Sequence, residues 1–220
     1  MIFLHRQNDP ANIQFKNVDG LELDIRSCAA NNGSTLILTH DRLRDFQFER
    51  SEDLICLDDV IQDLKPYTVI VNVKESGLEE EVSEILEDNN INYYFLDSQI
   101  PDIIRLCRQQ KFKGKFIIRV SDFEEVSDSF IEHTTPEYIW VDYSKFSEDN
   151  FKIHEYKDFL ENILKIQSIN TCKKILVSPE LYGLQNIKIT NDIINSETVK
   201  NILKEFCVCT KIPDDWREIV

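Results

Sequence analysis

Three short polar motifs stand near the start of the chain, each at the end of an apolar run or within one: His5-Arg6, Glu22-Leu23-Asp24 and His40-Asp41. On an extended strand, side chains two positions apart face the same way, so Glu22 and Asp24 can direct two carboxylates at one cation. A divalent cation neutralises phosphate charge, and two histidines supply a proton acceptor and a proton donor near neutral pH. The pattern therefore predicts metal-assisted hydrolysis of a phosphodiester, with both carboxylates as ligands and both histidines as catalytic groups.

The carboxylate pair lies in a segment too apolar for a surface strand, Gly20-Leu21-Glu22-Leu23-Asp24-Ile25. A buried carboxylate without a partner costs several kcal/mol, so we expect a cation beside Glu22 and Asp24. Oxygen ligands and water are the coordination that Mg²⁺ prefers, and Ca²⁺ is the alternative.

Short apolar runs rich in β-branched and aromatic residues recur along the chain and are typical of buried strands. They lie at 2–5, 20–26, 36–40, 68–74, 91–96, 115–120, 138–143, 173–178 and 206–210. Apolar residues at helical spacing between several of these runs predict helices. The clearest helical groups span 57–64, 78–86, 159–166 and 199–206.

This alternation predicts a parallel sheet covered by helices, and about eight main strands favour closure into a compact (β/α)₈ TIM barrel. A length of 220 residues suits one such barrel, so we expect a single domain over 1–220. The run at 36–40 would be an extra short strand. The segment 7–19 lacks apolar periodicity and contains Pro10, which predicts a first helix reduced to a loop or one turn. Few residues follow the last strand, so the C-terminal end should be short.

The motifs and their flanks resemble the glycerophosphodiester phosphodiesterase family, in the same superfamily as the phosphoinositide-lipase barrels. That family's signature runs His-Arg, then Glu-x-Asp, then His-Asp along the first strands of a (β/α)₈ barrel. The matching segments here are Ile2-Phe3-Leu4-His5-Arg6, Gly20-Leu21-Glu22-Leu23-Asp24-Ile25-Arg26 and Leu36-Ile37-Leu38-Thr39-His40-Asp41. The resemblance implies a metal-binding phosphodiesterase with a place in lipid metabolism.

A weaker resemblance continues into later strands. Val69-Ile70-Val71-Asn72-Val73-Lys74 resembles the family's third strand, where a metal-binding glutamate precedes a lysine by two positions. Asn72 stands in the glutamate's place, which implies a third metal ligand through its amide oxygen; a hydrogen-bonded core amide is the alternative. Cys207-Val208-Cys209-Thr210-Lys211-Ile212-Pro213 resembles the family's Thr-Asp-x-Pro, with lysine for aspartate.

Chemistry in such barrels lies at the C-terminal ends of the strands, so polar residues at those ends are candidates for substrate binding. The expected contacts to phosphate or substrate are Arg6, Lys74, Arg119, Glu180 and Lys211. Cationic side chains suit phosphate oxygens, although Lys74 can equally belong to an ordinary salt bridge. Glu180 either accepts a hydrogen bond from a substrate hydroxyl or caps the loop that follows it.

Two departures from the family bear on the substrate. The glycine after the family's His-Arg is Gln7 here, and the insertion that usually covers the glycerol end after His-Asp is replaced by a short polar stretch. We therefore expect a more open cleft. The substrate would be a glycerophosphodiester-like molecule or a sugar or polyol phosphodiester.

The overall charge restricts the partners. A formal net charge of −15 opposes binding to nucleic acid or to an anionic membrane surface. No apolar run approaches the roughly 20 residues that span a bilayer, so we expect no membrane insertion. Six cysteines without C-x-x-C spacing predict free thiols, and a strand that begins at residue 2 leaves no room for a leader; both favour the cytoplasm. The sequence carries no signal for an oligomeric state.

The sequence thus predicts hydrolysis of a small phosphodiester, with His5 as base and His40 as acid or the reverse. Two alternatives stay open. One is a catalytically silent barrel that binds a phosphorylated ligand, which Gln7 and Asn72 favour. The other is a lyase that stops at a cyclic phosphate, as the related sphingomyelinase-D and phosphoinositide-lipase barrels can.

Overall fold

The computed structural model describes residues 1–13, 17–30, 33–42, 54–147 and 151–220. Among these residues, nine strands belong to one sheet. They are β1 (Ile2–Leu4), β2 (Gly20–Ala30), β3 (Gly33–Leu38), β4 (Thr68–Val73), β5 (Tyr93–Leu96), β6 (Ile118–Ser121), β7 (Tyr138–Asp142), β8 (Lys173–Val177) and β9 (Cys207–Thr210). Eight of them are parallel neighbours in the order β5-β4-β2-β1-β9-β8-β7-β6.

The sheet closes on itself between β5 and the residues that precede β6. The Phe95 N–H donates to the Lys115 carbonyl at 2.8 Å, and the Ile117 N–H donates to the Phe95 carbonyl at 2.8 Å. Eight parallel strands that alternate with helices and meet at this seam confirm the predicted (β/α)₈ TIM barrel.

The remaining strand, β3, pairs antiparallel with the outer part of β2, from Ile25 opposite Leu38 to Ala30 opposite Gly33. The apolar run at 36–40 therefore contributes an extra strand, as predicted. It returns the chain to the carboxyl end of the barrel, where the Thr39 N–H donates to the Asp24 carbonyl at 3.1 Å.

Helices cover the outside of the barrel. They are α1 (Leu57–Leu64), α2 (Glu79–Asp88), α3 (Ile100–Leu106), α4 (Asp128–Thr134), α5 (Ile153–Lys165), α6 (Ile187–Ile194), α7 (Glu197–Leu203) and α8 (Pro213–Trp216). All four helical groups expected from apolar spacing are confirmed. None of the helices in the described ranges is long and apolar enough to cross a membrane.

The first crossover and the C-terminal helix are both short, as predicted. Between β1 and β2 the described residues form only a 3₁₀ turn, Pro10–Asn12, and residues 14–16 lie outside the description. The short polar stretch after His40-Asp41 also falls largely outside it, at 43–53. At the other end, α8 is four residues long.

Alternation along each strand separates two apolar cores. Leu21, Leu23 and Ile25 of β2 join the outer core against the helices, so the intervening residues point into the barrel. Gly20 is required there, because a Cβ at this position would lie 2.4 Å from the Thr68 carbonyl oxygen and 2.5 Å from the Phe3 ring. The inner core consists of Phe3, Ile70, Tyr94, Leu96, Ile117, Tyr138, Trp140, Ile175, Val177, Cys207 and Cys209.

Candidate functional site

Two carboxylates and an amide enter the barrel interior from two adjacent strands. Glu22 and Asp24 of β2 are each 1% exposed, and Asn72 of β4 is 7% exposed. In the parallel register, Asp24 stands opposite Asn72. The structure therefore brings the three predicted metal ligands together near the carboxyl end of the barrel, where residues 20–25 of β2 run beside β4.

Glu22 is held by three neighbouring residues. Its carboxylate accepts hydrogen bonds from the Arg6 main-chain N–H at 2.7 Å and from Asn72 Nδ2 at 2.9 Å. His5 Nε2 lies 3.7 Å from Glu22 Oε2. Arg6 has a left-handed backbone, with φ of 51°, in the turn that aims its amide at this carboxylate. Burial, and then the charge of Asp24, raise the pKa of Glu22 to about 7.

Asp24 is surrounded by cations and an amide. Lys74 Nζ lies 3.0 Å from Oδ1, and Arg6 Nε lies 3.4 Å from Oδ2. Asn8 donates from Nδ2 to Asp24 Oδ2 at 3.0 Å and accepts from the Asp24 main-chain N–H at 2.8 Å. Sequence reasoning missed Asn8, although an amide in the loop directly after His5-Arg6 was an available signal.

Three buried polar atoms at this place have no hydrogen-bond partner among the described residues: His5 Nδ1, Asp24 Oδ1 and Asn72 Oδ1. Asp24 Oδ1 has only its ion pair with Lys74. The orientation of Asn72 follows from its Nδ2, which donates to Glu22 and leaves the amide oxygen free. Because buried polar groups are normally paired, these atoms indicate a missing partner at the site.

The donor set fits a hard divalent cation. Two carboxylates and a neutral amide oxygen are ligands that Mg²⁺ and Ca²⁺ accept. No group of three or more His, Cys, Asp or Glu side chains that could hold a metal occurs in the described part of the chain. A cation here therefore depends on Asn72 as the third protein ligand, and it competes with Lys74 for Asp24.

His5 is a neutral imidazole. Burial, and then the positive charges of Arg6 and Lys211, lower its pKa to about 3. An unprotonated ring at neutral pH has a nitrogen that can accept a proton. A bound phosphate would add negative charge nearby and so raise this pKa, which favours proton uptake by His5 when substrate is present.

His40 follows β3 and lies near β2, in a different environment from that of His5. Its side chain is 41% exposed, and its Nδ1 lies 3.2 Å from Asp41 Oδ1. The main chain is anchored, since Arg26 Nη2 donates to the His40 carbonyl at 3.1 Å. The structure thus places one histidine inside the barrel mouth and the other at its solvent-facing rim.

A cavity of about 220 Å³ opens from His5, Glu22 and Asn72 towards the far wall of the barrel. Arg119 lies on that wall, where its guanidinium pairs with Asp97 at 2.6 Å and also with Asp142. The far wall also includes Trp140, Leu181 and Tyr182, and the Tyr182 hydroxyl donates to Asp142. Arg119 therefore reaches the cavity with much of its charge already balanced.

Glu180 and Lys211 differ in their availability to a substrate. Glu180 is 1% exposed, and its oxygens accept from Thr210 Oγ1 at 2.6 Å, Thr190 Oγ1 at 3.1 Å and the Lys211 main-chain N–H at 3.0 Å. These contacts favour the loop-capping interpretation of Glu180. Lys211 directly follows β9, and its charge acts on His5.

The metal-free protein should show the raised pKa of Glu22 as a pH-dependent stability. Because the folded pKa lies above the unfolded value of 4.5, the neutral acid favours the fold. Its contribution is present below about pH 4.5 and is lost as the pH rises through about 7. In urea denaturation with chelator, we expect the unfolding free energy of the wild type, relative to Glu22→Gln, to fall by a few kcal/mol over this window. Glu84→Gln, an exposed change on α2, is the control, and a difference that does not vary with pH would contradict the assignment.

Comparison with known proteins supports the fold. No family model matches the chain, and no curated protein matches it in sequence. Among solved structures, the chain is similar to a phosphodiesterase from Oleispira antarctica in complex with its product sn-glycerol-3-phosphate. The alignment covers 100% of this chain and 96% of that chain, with a TM-score of 0.55 and 12% sequence identity. At this identity, the likeness establishes that the two chains share the barrel architecture.

Proposed function

We propose that this protein is a metal-dependent phosphodiesterase, a divergent relative of the glycerophosphodiester phosphodiesterases. Its substrate is a small phosphodiester, either glycerophosphodiester-like or a sugar or polyol phosphodiester. The observation that carries the proposal is the convergence of His5, the two buried carboxylates Glu22 and Asp24, and the unpaired amide oxygen of Asn72 inside one barrel mouth. The similar barrel of a phosphodiesterase that holds a phosphate-ester product supports it.

In this proposal Glu22, Asp24 and Asn72 hold the cation, Mg²⁺ or alternatively Ca²⁺. When bound, the cation neutralises phosphate charge and makes the phosphorus more electrophilic. Arg6 and Lys74, which pair with Asp24, supply positive charge for the non-bridging oxygens. Arg119, on the far wall of the cavity, and Lys211, whose charge acts on His5, contribute further positive charge.

The histidines move the protons. His5, which is neutral and largely buried, accepts the proton of the attacking group, either water or a neighbouring hydroxyl of the substrate. His40, open to solvent beside Asp41, donates a proton to the leaving oxygen. The contrast in their environments supports this order of roles over the reverse, because a protonated imidazole is better tolerated at the exposed position.

A non-catalytic barrel that binds a phosphorylated ligand is the second candidate. Asp24 is already neutralised by Lys74 and Arg6, and the third ligand is a neutral amide, which together favour weaker metal binding. Phosphorus NMR with glycerophosphodiesters and with bis(4-nitrophenyl) phosphate tests both candidates. An open monoester as product supports hydrolysis, a cyclic phosphate indicates a lyase, and no turnover with measurable binding indicates the silent barrel.

Asn72 offers a direct test of the ligand set. Asn72→Asp adds a charged oxygen of similar reach, so we expect Mg²⁺ to bind more tightly to this variant than to the wild type. Asn72→Leu removes the amide oxygen and should weaken Mg²⁺ binding. Calorimetric titration measures all three affinities, and three equal values would return Asn72 to the role of a core amide.

A further inference from the structure

The side chain of Arg26 lies on β2 between the ends of two other strands. The Asp24 carbonyl accepts the Thr39 N–H at 3.1 Å, and the next carbonyl of β2, that of Ile25, accepts the Lys74 N–H at 3.1 Å. Successive carbonyls of a strand point to opposite edges. The chain that leaves β3 and the chain that leaves β4 therefore lie on opposite edges of β2.

The guanidinium of Arg26 contacts the main chain on both edges. Its Nη2 and Nε donate to the His40 carbonyl at 3.1 and 3.3 Å, and its Nη1 donates to the Lys74 carbonyl at 3.4 Å. The side chain is only 12% exposed, so it is largely shielded from competing water. One side chain thus joins the residue that we propose as the acid to a residue that we propose as a phosphate contact.

Glu75 holds the guanidinium in place. Its Oε1 lies 3.3 Å from Arg26 Nη1, and its Oε2 accepts hydrogen bonds from the Ser27 main-chain N–H at 3.1 Å and from Ser27 Oγ at 2.7 Å. The ion pair is therefore attached to the strand that carries Arg26. A planar guanidinium can donate to several acceptors at once, whereas a lysine ammonium is a compact charge without this fork of donors.

We propose that Arg26 is a positioning residue for the phosphodiesterase reaction. It holds His40 and Lys74 at the separation at which the imidazole reaches the leaving oxygen while the ammonium contacts a non-bridging oxygen of the same phosphate. Such an arrangement contributes to the rate because misplacement of a catalytic group by about 1 Å can slow turnover about 100-fold. This inference rests on the proposed function for the roles of His40 and Lys74, and it adds the residue that couples them.

Turnover measures the effect on His40. Arg26→Met removes the donors, and Arg26→Lys keeps the charge without the fork. We expect both changes to lower kcat about 10- to 100-fold with a glycerophosphodiester, and much less with a nitrophenyl ester, whose leaving oxygen needs little protonation. In a His40→Ala background, the further loss caused by Arg26→Met should be at least several-fold smaller, because the residue that it positions is already absent.

Binding of inorganic phosphate measures the effect on Lys74 without turnover. In calorimetric titrations with Mg²⁺ present, we expect Arg26→Met to weaken phosphate binding about 10-fold, because it displaces Lys74. The same change in a Lys74→Met background should leave the remaining affinity nearly unchanged. If Arg26 bound phosphate directly, its loss would weaken binding in both backgrounds, and this result would overturn the positioning role.

Arg105→Lys is the matched control, because Arg105 is a more exposed arginine of α3 whose guanidinium pairs with Glu80 at 2.9 Å. It should keep the wild-type kcat and phosphate affinity. Glu75→Gln provides a second variant in case the Arg26 variants do not fold, and it should lower both quantities several-fold with the same dependence on the leaving group. Wild-type values in the folded variants would overturn the inference, and so would losses that are equal for both substrates and additive in both double variants.

The outcome separates this inference from the proposed activity. Coupling between Arg26 and Lys74 in phosphate binding, in a protein that hydrolyses no phosphodiester, would support the positioning role and refute the enzyme. Turnover with additive losses would do the reverse. A wild type that neither binds phosphate nor hydrolyses a phosphodiester would refute both.

Discussion

Replacement of His5 by alanine is expected to lower phosphodiester turnover by about 10²- to 10⁴-fold, the usual contribution of a general acid or base. The ring lies in the barrel mouth, 3.7 Å from Glu22, and its Nδ1 forms no hydrogen bond with the described residues, so few structural contacts are lost. His40→Ala should cause a loss of similar size. Steady-state kinetics measure both, with thermal unfolding as a check on the fold.

The remaining histidines are the controls. His154 is exposed at the start of α5, and His133 contacts only the Ile104 carbonyl, at 3.2 Å, among the hydrogen bonds that the structure describes for its ring. Alanine at either position should leave turnover nearly unchanged. Equal, small losses at all four histidines would show that His5 and His40 are structural.

A substrate with a better leaving group separates the two roles. A nitrophenyl ester needs little protonation of its leaving oxygen, so it should restore activity to the variant that lacks the acid and not to the one that lacks the base. The contrast between the buried ring and the exposed ring predicts that His40→Ala is the variant restored. Restoration of His5→Ala instead would reverse the assignment.

Removal of divalent cations is expected to abolish activity, and Mg²⁺ or Ca²⁺ should restore it. Glu22→Ala and Asp24→Ala should resist this rescue, because each removes one of the two charged ligands. Since the ion binds the folded protein, added Mg²⁺ should also raise the melting temperature of the wild type with increasing concentration, and much less so in these variants.

The metal experiment has a matched control and a clear opposite result. Glu84→Gln alters a carboxylate on an outer helix and should leave both the metal requirement and the thermal shift intact. Asp24→Ala also leaves Lys74 and Arg6 without their partner, so its stability in chelator should be compared with that of Asp24→Asn, which keeps an oxygen for Asn8 to contact. Full activity in excess chelator would rule out the metal mechanism.

Sequence reasoning identified the barrel because the signals for its elements are local. Alternation and apolar runs depend on neighbouring residues, and so does the helical spacing of groups such as Leu57–Leu64. The inward direction of Glu22 and Asp24 also follows from strand geometry alone. The extra strand at 36–40 was predictable for the same reason, although its antiparallel pairing with β2 was not.

Local sequence patterns could not predict the contacts between residues of distant strands. Arg119 was expected to contact phosphate or substrate, and nothing in the sequence indicated that its guanidinium pairs with Asp97, which follows β5, and with Asp142 of β7. Glu180 presents the same case, since its partners Thr190 and Thr210 lie 10 and 30 residues further along the chain. The spacing of residues near the strand ends does not predict either set of contacts.

The sequence by itself determined the positions of the strands along the chain, the barrel class and the side of β2 on which the acidic pair lies, because each depends on periodicity within a few residues. Only the tertiary structure decided which polar atoms remain unpaired. Asn72 donates to Glu22, 50 residues away, and its amide oxygen has no hydrogen-bond partner among the described residues. Hydrogen-bond satisfaction is a property of three-dimensional neighbours, and folding brings those neighbours together from strands that the sequence keeps far apart.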